Sequence, residues 1–452
     1  MLNWNCNYIC KSPIWVSEDL RDGNQSLING YDIKKKIKIW NFLLEIGFKQ
    51  IVLGFPSSNK HDFNFIKYLI KNKLIPLDVT ISILTPNKKN LIDLSFNSVE
   101  KIENVIFHLY NSISKNQRKI VFKLNKKKII NFSLNGIKYI ISKINKNKKK
   151  SILQYSPESF SDSEVFFSKK ISYYFSYLCF INKIKSILNL PMTVENCFPH
   201  YYLNTLSYIK KNIFNTILST HIHNDMNGAI TTSMLSLLTG VSRIEGTVFG
   251  NGERAGNASI FILASNILNL GINPNINIYN KKIQFLFKNE KINLLNRFPW
   301  FSRLNYTAFS GSHQDAIFKS FYIKKLFSWK IIYLPLNPKK FGFLYKNIIK
   351  INSQSGKGGL RFIYWYNFNL LLNKIILKKI YIISQDISEI LMCEIYKEFL
   401  FSIIHLRSNN LFIEKFIIIE FYYSLLFNFK IIVVLIKKKK KKIFKFIIIK
   451  NE

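Results

Sequence analysis

The chain has 452 residues, with 66 Lys and Arg against 26 Asp and Glu, and so a formal net charge of +40. Most basic residues are Lys, and Ile, Asn, Phe and Tyr are also abundant, which is typical of AT-rich codon usage. The lysine runs lack interleaved Arg, RNP-type aromatics and zinc-finger spacing, so specific nucleic-acid binding is disfavoured. With 48% hydrophobic residues, the chain can bury a large core.

The cysteine pattern and the hydropathy argue against secretion and membrane insertion. Five Cys without zinc-knuckle spacing are too few for a disulfide scaffold, so a reducing cytoplasm is expected. The N-terminus shows no basic segment followed by an apolar core. The apolar region 411–436 is interrupted by charged residues, so no membrane span is predicted.

Short apolar or β-branched runs alternate with longer Lys/Leu/Ile patterns typical of helices. Eight runs are predicted strands: Ile14 to Ser17, Ile51 to Gly54, Val79 to Leu84, Asn104 to Leu109, Ile152 to Tyr155, Met192 to Glu195, Leu218 to His223 and Arg243 to Gly246. This repeat predicts an α/β fold, a (β/α)8 TIM barrel over residues 1–275. An open doubly wound sheet is the alternative.

After residue 275 the strict alternation fades. Residues 276–385 are predicted to form a smaller, mostly helical accessory subdomain, which contains two polar and glycine-bearing motifs, Tyr306 to Asp315 and Asn352 to Gly359. Residues 386–452 are rich in Ile, Phe and Lys and contain a six-lysine run. They form a third region, to which the residue pattern assigns no chemistry.

Three motifs lie at or just after the ends of predicted barrel strands: Arg21 to Gln25, His221 to Asp225 and Gly250 to Asn257. Because side chains on a strand alternate between faces, His221 and His223 project the same way and can share a cation. Asp22 is a carboxylate partner for that ion, and the Asn257 amide oxygen is a possible fourth ligand. The three motifs together predict a metal site at the rim where barrel active sites form.

The glycine-rich stretch Gly250 to Gly256 has the spacing GxGxxxG. It follows the eighth predicted strand and has no acidic residue about 20 positions later, so dinucleotide binding is unlikely. A backbone cradle for a ligand, with Gly252, Glu253 and Arg254, or a tight turn that positions Glu253, Arg254 and Asn257 fits better.

In these motifs, together with His108 to Ser112, Gln154 to Glu158, Thr193 to Glu195, Thr307 to Ile317, Tyr333 to Pro335 and Asn352 to Gly359, the chain resembles the 2-isopropylmalate synthase family. The resemblance covers residues 14 to about 385 and points to the longer, two-subdomain form. It implies an acyltransferase of leucine biosynthesis that condenses acetyl-CoA with 3-methyl-2-oxobutanoate. It also implies a divalent metal, with Mg²⁺ favoured over Mn²⁺ or Zn²⁺, acetyl-CoA as co-substrate and a homodimer.

The resemblance also implies roles for individual residues. Asp22, His221, His223 and Asn257 would surround the metal, and Arg21, His108, Ser156 and Thr193 would bind the keto acid. The backbone cradle at Gly252, Glu253 and Arg254 would hold coenzyme A. Arg21 would also stabilise the developing alkoxide. The general base is either Glu158, which also lines the keto-acid pocket, or a pair formed by His313 and Tyr333, which would reach an active site across the dimer. The sequence does not decide between them.

Three other functions stay open at this stage. The nearest is a citramalate or homocitrate synthase of the same family, and the others are an inactive barrel kept as a binding partner and a basic nucleic-acid binder. The resemblance further implies a C-terminal leucine-binding regulatory domain. Residues 386–452 are expected to be an eroded remnant of it, so inhibition by leucine should be weak or absent.

Overall fold

The computed structural model describes the chain except residues 1–7, 148–149, 280–296, 324–330, 335, 342, 346–347, 392–393, 398–399, 401–415, 427–428, 439–440 and 451–452. The chain divides into two compact units, Met1–Asn280 and Lys281–Glu452.

The first unit contains a closed barrel of eight parallel strands, each paired with its neighbours in chain order. The strands are β1 (Ile14–Ser17), β2 (Gln50–Val52), β3 (Thr80–Pro86), β4 (Val105–Ser112), β5 (Ser151–Glu158), β6 (Ser186–Met192), β7 (Ile217–Ile222) and β8 (Arg243–Gly246). The predicted (β/α)8 barrel is therefore confirmed, and the open-sheet alternative is excluded.

Helices connect the strands of the barrel. They are α1 (Asp22–Gln25), α2 (Ile33–Ile46), α3 (Lys60–Lys71), α4 (Lys89–Ser98), α5 (Lys115–Ile120), α6 (Lys126–Asn147), α7 (Val165–Ile181), α8 (Pro199–Lys210), α9 (Ala229–Ser236) and α10 (Ile260–Asn269). Local sequence sets their ends. In α2, the Asp32 side chain accepts a hydrogen bond from the Lys35 amide at 2.7 Å, and Gly47 ends the helix with φ of +99°.

The sixth strand lies earlier in the chain than predicted. The prediction was Met192 to Glu195, whereas β6 spans Ser186–Met192 and every residue of it is buried. Pro191 can lie in this strand because β6 pairs with β5 only up to Leu188. Its missing N–H therefore removes no ladder hydrogen bond on that side, as proline in a sheet requires.

Polar side chains fill part of the barrel interior. Gln154 on β5 donates a hydrogen bond to Glu245 on β8 at 2.6 Å, although these strands are not neighbours in the closed sheet. Such a bond must run through the interior, and both side chains are buried. The apolar helices cover the outer face, with Trp40, Phe65 and Phe175 essentially inaccessible to solvent.

The second unit contains α11 (Gly311–Ile323), α12 (Lys357–Phe368), α13 (Lys374–Leu391) and an antiparallel sheet of β9 (Phe416–Leu426), β10 (Phe429–Lys438) and β11 (Lys441–Lys450). The two motifs seen in the sequence pack against each other here. Buried Gln314 donates to the carbonyl oxygens of Ala308 and Lys350 and to the Ser355 hydroxyl at 2.8–3.1 Å. Within the described part of the chain, no helix has both the length and the apolarity to cross a bilayer.

Candidate metal centre and its surroundings

Asp22, His221 and His223 meet at one point in the first unit. The Nε2 atoms of the two histidines are 3.2 Å apart, and Asp22 Oδ2 lies 3.5 Å from His221 Nε2 and 3.7 Å from His223 Nε2. All three side chains are buried. Asp22 begins α1 after the short loop that follows β1, and the histidines lie on and just after β7. The carboxyl ends of these two strands therefore bring the donors together.

This spacing fits three ligands of one ion. Ligand atoms about 2.1 Å from a shared ion lie about 3.0 Å apart at right angles and about 3.4 Å apart in a tetrahedron. The observed separations of 3.2, 3.5 and 3.7 Å are close to both values. Two imidazoles and one carboxylate form a donor set that suits a divalent cation.

The electrostatics of the three residues favour a positive charge between them. Burial opposes protonation of His221, but the Asp22 carboxylate outweighs it and raises the pKa of His221. Burial and the neighbouring His221 lower the pKa of His223 to about 3, so His223 is neutral. Burial opposes ionisation of Asp22 too, yet Arg21 and His221 hold its pKa well below the ordinary value. An ionised carboxylate and a neutral imidazole are the ligand forms that a metal requires.

Asn257 lies beside the same point. Its Nδ2 atom donates to Asp22 Oδ2 at 2.7 Å, and its buried Oδ1 atom has no hydrogen-bond partner. A backbone bridge to His223 fixes its position. A Cβ on Gly252 would overlap the Asn257 side chain, so glycine is needed there for the loop to approach. The Asn257 Oδ1 atom is therefore free of hydrogen bonds, as a fourth metal ligand at this position would be.

Arg21 and Glu158 face the same region. Arg21 Nε donates to Glu18 Oε2 at 2.8 Å, and Arg21 Nη1 lies 3.7 Å from Asp22 Oδ1. Burial raises the pKa of Glu158, and the charge of Arg21 partly opposes that shift, which places the two groups within electrostatic reach. The structure thus brings Arg21 beside the proposed metal ligand Asp22 and places Glu158 within the electrostatic influence of Arg21.

A buried polar cluster extends from the metal ligands through the barrel interior. Glu245 Oε2 lies 3.6 Å from His221 Nδ1, and Gln154 donates to Glu245 and contacts the His108 ring at 3.2 Å. His108 Nε2 is 2.6 Å from Ser156 Oγ, and Asn189 donates to Ser156 at 2.9 Å. His108 and Ser156 therefore lie together, as predicted.

Burial lowers the pKa of His108 to about 3, so the ring is neutral. Burial opposes ionisation of Glu245, but the positive charge of Arg243 outweighs it and lowers the pKa of Glu245 to about 2. The sequence reasoning left Glu245, Gln154 and Asn189 out of the site. The signal that could have identified Gln154 and Glu245 is the polar residue at every second position of β5 and β8, whereas β6 has no such alternation around Asn189.

A hydrogen bond joins Thr193 and Arg254, which lie in the loops after β6 and β8. Arg254 Nη2 donates to the Thr193 carbonyl oxygen at 2.6 Å, and the Thr193 hydroxyl accepts from the Ser159 amide at 2.9 Å. Arg254 also pairs with Asp225, with Nε 2.7 Å from Oδ1. The Glu253 carbonyl oxygen accepts from the Gly256 amide at 2.8 Å, which closes the glycine-rich loop as a turn.

His313 and Tyr333 both lie in the second unit. Their rings stack with centroids 3.9 Å apart, and both side chains are exposed. The structure therefore brings these two predicted residues together as a pair. Tyr333 has φ of +63°, a strained backbone conformation for a bulky residue.

Comparison with known proteins agrees with this arrangement. Residues 12–283 match the family described as HMGL-like, and residues 303–364 match the alpha-isopropylmalate synthase, post-catalytic domain-like family. The solved HMG-CoA lyase of Bacillus subtilis superposes with a TM-score of 0.50 at 17% identity, covering 62% of this chain and 92% of that one. At that identity, the structural likeness supports the fold alone.

Curated relatives are more similar. The chain is 40% identical over 381 residues to the 2-isopropylmalate synthase of Acetoanaerobium sticklandii, which covers 82% of this chain and 67% of that protein. It is 37% identical over 410 residues to the 2-isopropylmalate synthase of Clostridium acetobutylicum, covering 88% and 74%.

The barrel with its rim of histidine and carboxylate donors is thus that of an HMGL-like protein. Within that class, the chain belongs to the 2-isopropylmalate synthase family. The resemblance inferred from the motifs is confirmed.

Proposed function

We propose that this protein condenses acetyl-CoA with 3-methyl-2-oxobutanoate and hydrolyses the thioester, which yields 2-isopropylmalate and CoA. The observation that carries the proposal is the buried triad of Asp22, His221 and His223, spaced for one ion in a barrel of this family. The relatives named above carry the activity in their names.

The metal proposed for the site is a divalent cation, with Mg²⁺ as the physiological ion. Asp22, His221 and His223 would hold it, and the Asn257 amide oxygen would be the fourth protein ligand. When bound, it would act as a Lewis acid on the carbonyl oxygen of the keto acid. The two imidazoles suit Mn²⁺ and Zn²⁺ as well, so activity with each of these ions is a separate measurement.

The side chains around the triad would bind and orient the keto acid. Thr193 would donate its hydroxyl hydrogen to the substrate carboxylate, because its oxygen already accepts from the Ser159 amide. Neutral His108 and its partner Ser156 would line the pocket. Arg21, held by Glu18, would stabilise the negative charge that develops on the carbonyl oxygen during carbon–carbon bond formation.

Two groups compete for the role of general base. The base takes a proton from the acetyl methyl group, and the resulting carbanion attacks the keto carbon. Glu158 is supported by its position near Arg21 and by a pKa that burial raises toward neutrality. The pair of His313 and Tyr333 is supported by its stacking in the second unit.

A thiol-release assay tests the function. Purified protein is incubated with acetyl-CoA and either 3-methyl-2-oxobutanoate, pyruvate or 2-oxoglutarate, with Mg²⁺ or with chelator. We expect the highest kcat/KM with 3-methyl-2-oxobutanoate and loss of turnover with chelator that excess Mg²⁺ restores. Higher kcat/KM with pyruvate or 2-oxoglutarate would instead identify a citramalate or homocitrate synthase.

The variants Asp22→Asn and His223→Ala connect the activity to the triad. Both should lose at least about 100-fold in kcat and most of their Mn²⁺ affinity, since each removes one ligand. Lys49→Gln removes a cation from an exposed ion pair with Asp78, and it is the matched control because Lys49 precedes β2 at the opposite end of the barrel. Wild-type turnover in Asp22→Asn would contradict the proposed site.

We further propose a cytoplasmic homodimer in which His313 and Tyr333 of one subunit serve the barrel of the other. The proposed division is a catalytic barrel over residues 1–275, an accessory subdomain over 276–385 and a C-terminal region over 386–452. Mixing and reassembling Asp22→Asn and His313→Ala subunits tests whether each active site contains residues of both subunits. If each site draws on both subunits, about one quarter of wild-type activity should return. No recovery despite subunit exchange would show that each site is built within one chain.

A further inference from the structure

We propose that Arg254 and Asp225 form a clamp that holds Thr193 in place for the keto acid, and that Arg254 does not bind coenzyme A. The inference rests on the proposed function, in which Thr193 binds the keto acid. It replaces the role that the glycine-rich motif suggested for Arg254. Arg254 is then a positioning residue, because it acts through Thr193.

The clamp joins the loops that follow three successive strands. Arg254, after β8, donates through Nε to Asp225 Oδ1 at 2.7 Å and through Nη2 to Asp225 Oδ2 at 3.2 Å. Asp225 follows β7. The same Nη2 atom donates to the Thr193 carbonyl oxygen, after β6, at 2.6 Å. One guanidinium thus ties all three loops in a geometry that a lysine cannot reproduce.

A second set of hydrogen bonds joins the loop after β6 to the loop after β7. The Glu195 amide donates to Asp225 Oδ2 at 3.0 Å, and the buried Glu195 carboxylate accepts from the Met226 amide at 2.6 Å and the Gly228 amide at 3.3 Å. Asp225 therefore receives donors from both neighbouring loops. Removing its charge should loosen the loop of Thr193 and Glu195 as removal of Arg254 does.

Thr193 is consequently fixed at two points. Its carbonyl oxygen accepts from Arg254, and its hydroxyl oxygen accepts from the Ser159 amide. With the oxygen engaged in this way, the hydroxyl hydrogen is directed away from Ser159. A donor held on both sides loses little conformational entropy when a substrate carboxylate binds.

The charge balance argues against a coenzyme A phosphate at Arg254. The fork of the guanidinium is directed at the Asp225 carboxylate, so the pair carries no net charge. A phosphate bound in bidentate fashion to Nε and Nη2 would have to displace Asp225, and a phosphate elsewhere on the guanidinium would lie beside the Asp225 carboxylate. Arg254 is 41% exposed in its side chain, so this pair contributes little to global stability, and variants should remain folded.

A double-mutant cycle tests the clamp. Arg254→Gln, Asp225→Asn and the double variant are compared by their KM for each substrate and by calorimetric binding of 3-methyl-2-oxobutanoate to the Mn²⁺-loaded protein. We expect each single variant to raise the keto-acid KM and Kd about ten-fold, which corresponds to about 1.4 kcal/mol. The acetyl-CoA KM should stay within about two-fold of the wild-type value. The double variant should be no worse than either single variant. Arg254→Lys should recover only part of the loss.

The opposite pattern overturns the clamp. A rise in acetyl-CoA KM in Arg254→Gln that Asp225→Asn does not share would assign Arg254 to coenzyme A. Additive single effects, or a keto-acid KM unchanged in both, would show that the pair does not position Thr193. Lys49→Gln is again the control for loss of an exposed cation.

Amide hydrogen exchange separates failure of the clamp from failure of the proposed function. Exchange at residues 193–195 should accelerate at least about ten-fold in both single variants, because the loop can then open without first breaking the hydrogen bonds of the clamp. Lys49→Gln should leave this exchange unchanged. If the wild type lacks synthase turnover, this result still supports the clamp. Unchanged exchange at these residues would contradict it whatever the activity.

Discussion

Glu245 lies behind the His221 ring, at ion-pair distance rather than in a hydrogen bond. Its Oε2 atom lies 3.6 Å from His221 Nδ1, on the opposite side of the ring from the Nε2 atom that faces Asp22. The negative charge of a carboxylate behind a ligating imidazole favours a proton on the nearer nitrogen and makes the farther nitrogen a better ligand. Several donors hold this carboxylate: Gln154, Asn189, Ser219 and Arg243.

We predict that Glu245→Gln lowers Mn²⁺ affinity by about 10- to 100-fold, because the amide supports the His221 tautomer less well than a carboxylate does. Isothermal titration calorimetry on apo protein measures the change. Since Glu245 pairs with buried Arg243, the double variant Arg243→Leu/Glu245→Gln avoids an uncompensated cation. If both folded variants bind Mn²⁺ as tightly as the wild type, Glu245 has no such role.

At the scale of elements, the loop after β8 depends on its glycines. Gly256 has φ of +94°, and a Cβ there would overlap the Gly250 carbonyl oxygen. That carbonyl accepts from the Asn257 amide at 2.8 Å, so any shift moves Asn257. Gly271 has a similar φ of +84°, but no described heavy atom lies within 4 Å of its Cβ position.

These two glycines form a matched pair of variants. Gly271→Ala should cost about 1–2 kcal/mol of unfolding free energy from left-handed backbone strain alone. Gly256→Ala should cost clearly more and should also weaken Mn²⁺ binding, because the overlap displaces Asn257. Urea denaturation and calorimetry provide the two readouts. Equal losses of stability, with unchanged metal affinity in both, would be the contrary result.

A buried ion pair connects helices α2 and α3. Lys36 and Asp62 are in contact with only 2% and 7% of their side chains exposed, and Asp62 also accepts from the Phe55 amide at 2.8 Å. The loop after β2 is thereby fixed to α3. Removal of one partner leaves a buried charge without compensation, which costs about 3–5 kcal/mol.

Asp62→Ala is therefore expected to lower the free energy of unfolding by about 3–5 kcal/mol. The double variant Lys36→Met/Asp62→Leu should recover part of that loss, because it removes both charges from the interior. Urea denaturation of the wild type, Asp62→Ala and the double variant measures these differences in the free energy of unfolding. A double variant no more stable than Asp62→Ala would show that the unpaired Lys36 charge is not the main cost, since both variants lack the hydrogen bond from Phe55.

The elements also show how far sequence reasoning reaches. Strands β1 and β8 coincide with their predicted bounds, and the histidine pair with Asp22 converges as the alternation of side chains required. The predicted sixth strand began after Pro191, whereas β6 includes this proline, which a strand accepts where the ladder leaves its nitrogen unpaired. The bond between Gln154 and Glu245 joins residues 91 positions apart, so local patterns could not reveal it.

At the scale of the whole molecule, the net charge of +40 is large for 452 residues. The charged rim of the proposed site is nevertheless nearly balanced, with Arg21 beside Glu18 and Asp22, and Arg254 beside Asp225. Anionic substrates are therefore drawn by the general positive field, while the local pairs and the metal ligands determine orientation. We expect higher salt to raise the KM of acetyl-CoA, whose phosphates carry most of the substrate charge, more than that of the keto acid.

The division into two compact units gives a last prediction. The proposed ligands Asp22, His221 and His223 all lie in Met1–Asn280, so a metal stabilises the folded form of that unit directly. At 100 times the dissociation constant, the gain is about 2.7 kcal/mol. In differential scanning calorimetry, Mn²⁺ should raise the melting temperature of one transition and chelator should reverse it, with Asp22→Asn unresponsive. A Mn²⁺ shift that survives in Asp22→Asn would place the stabilising ion elsewhere, since the triad would no longer account for it.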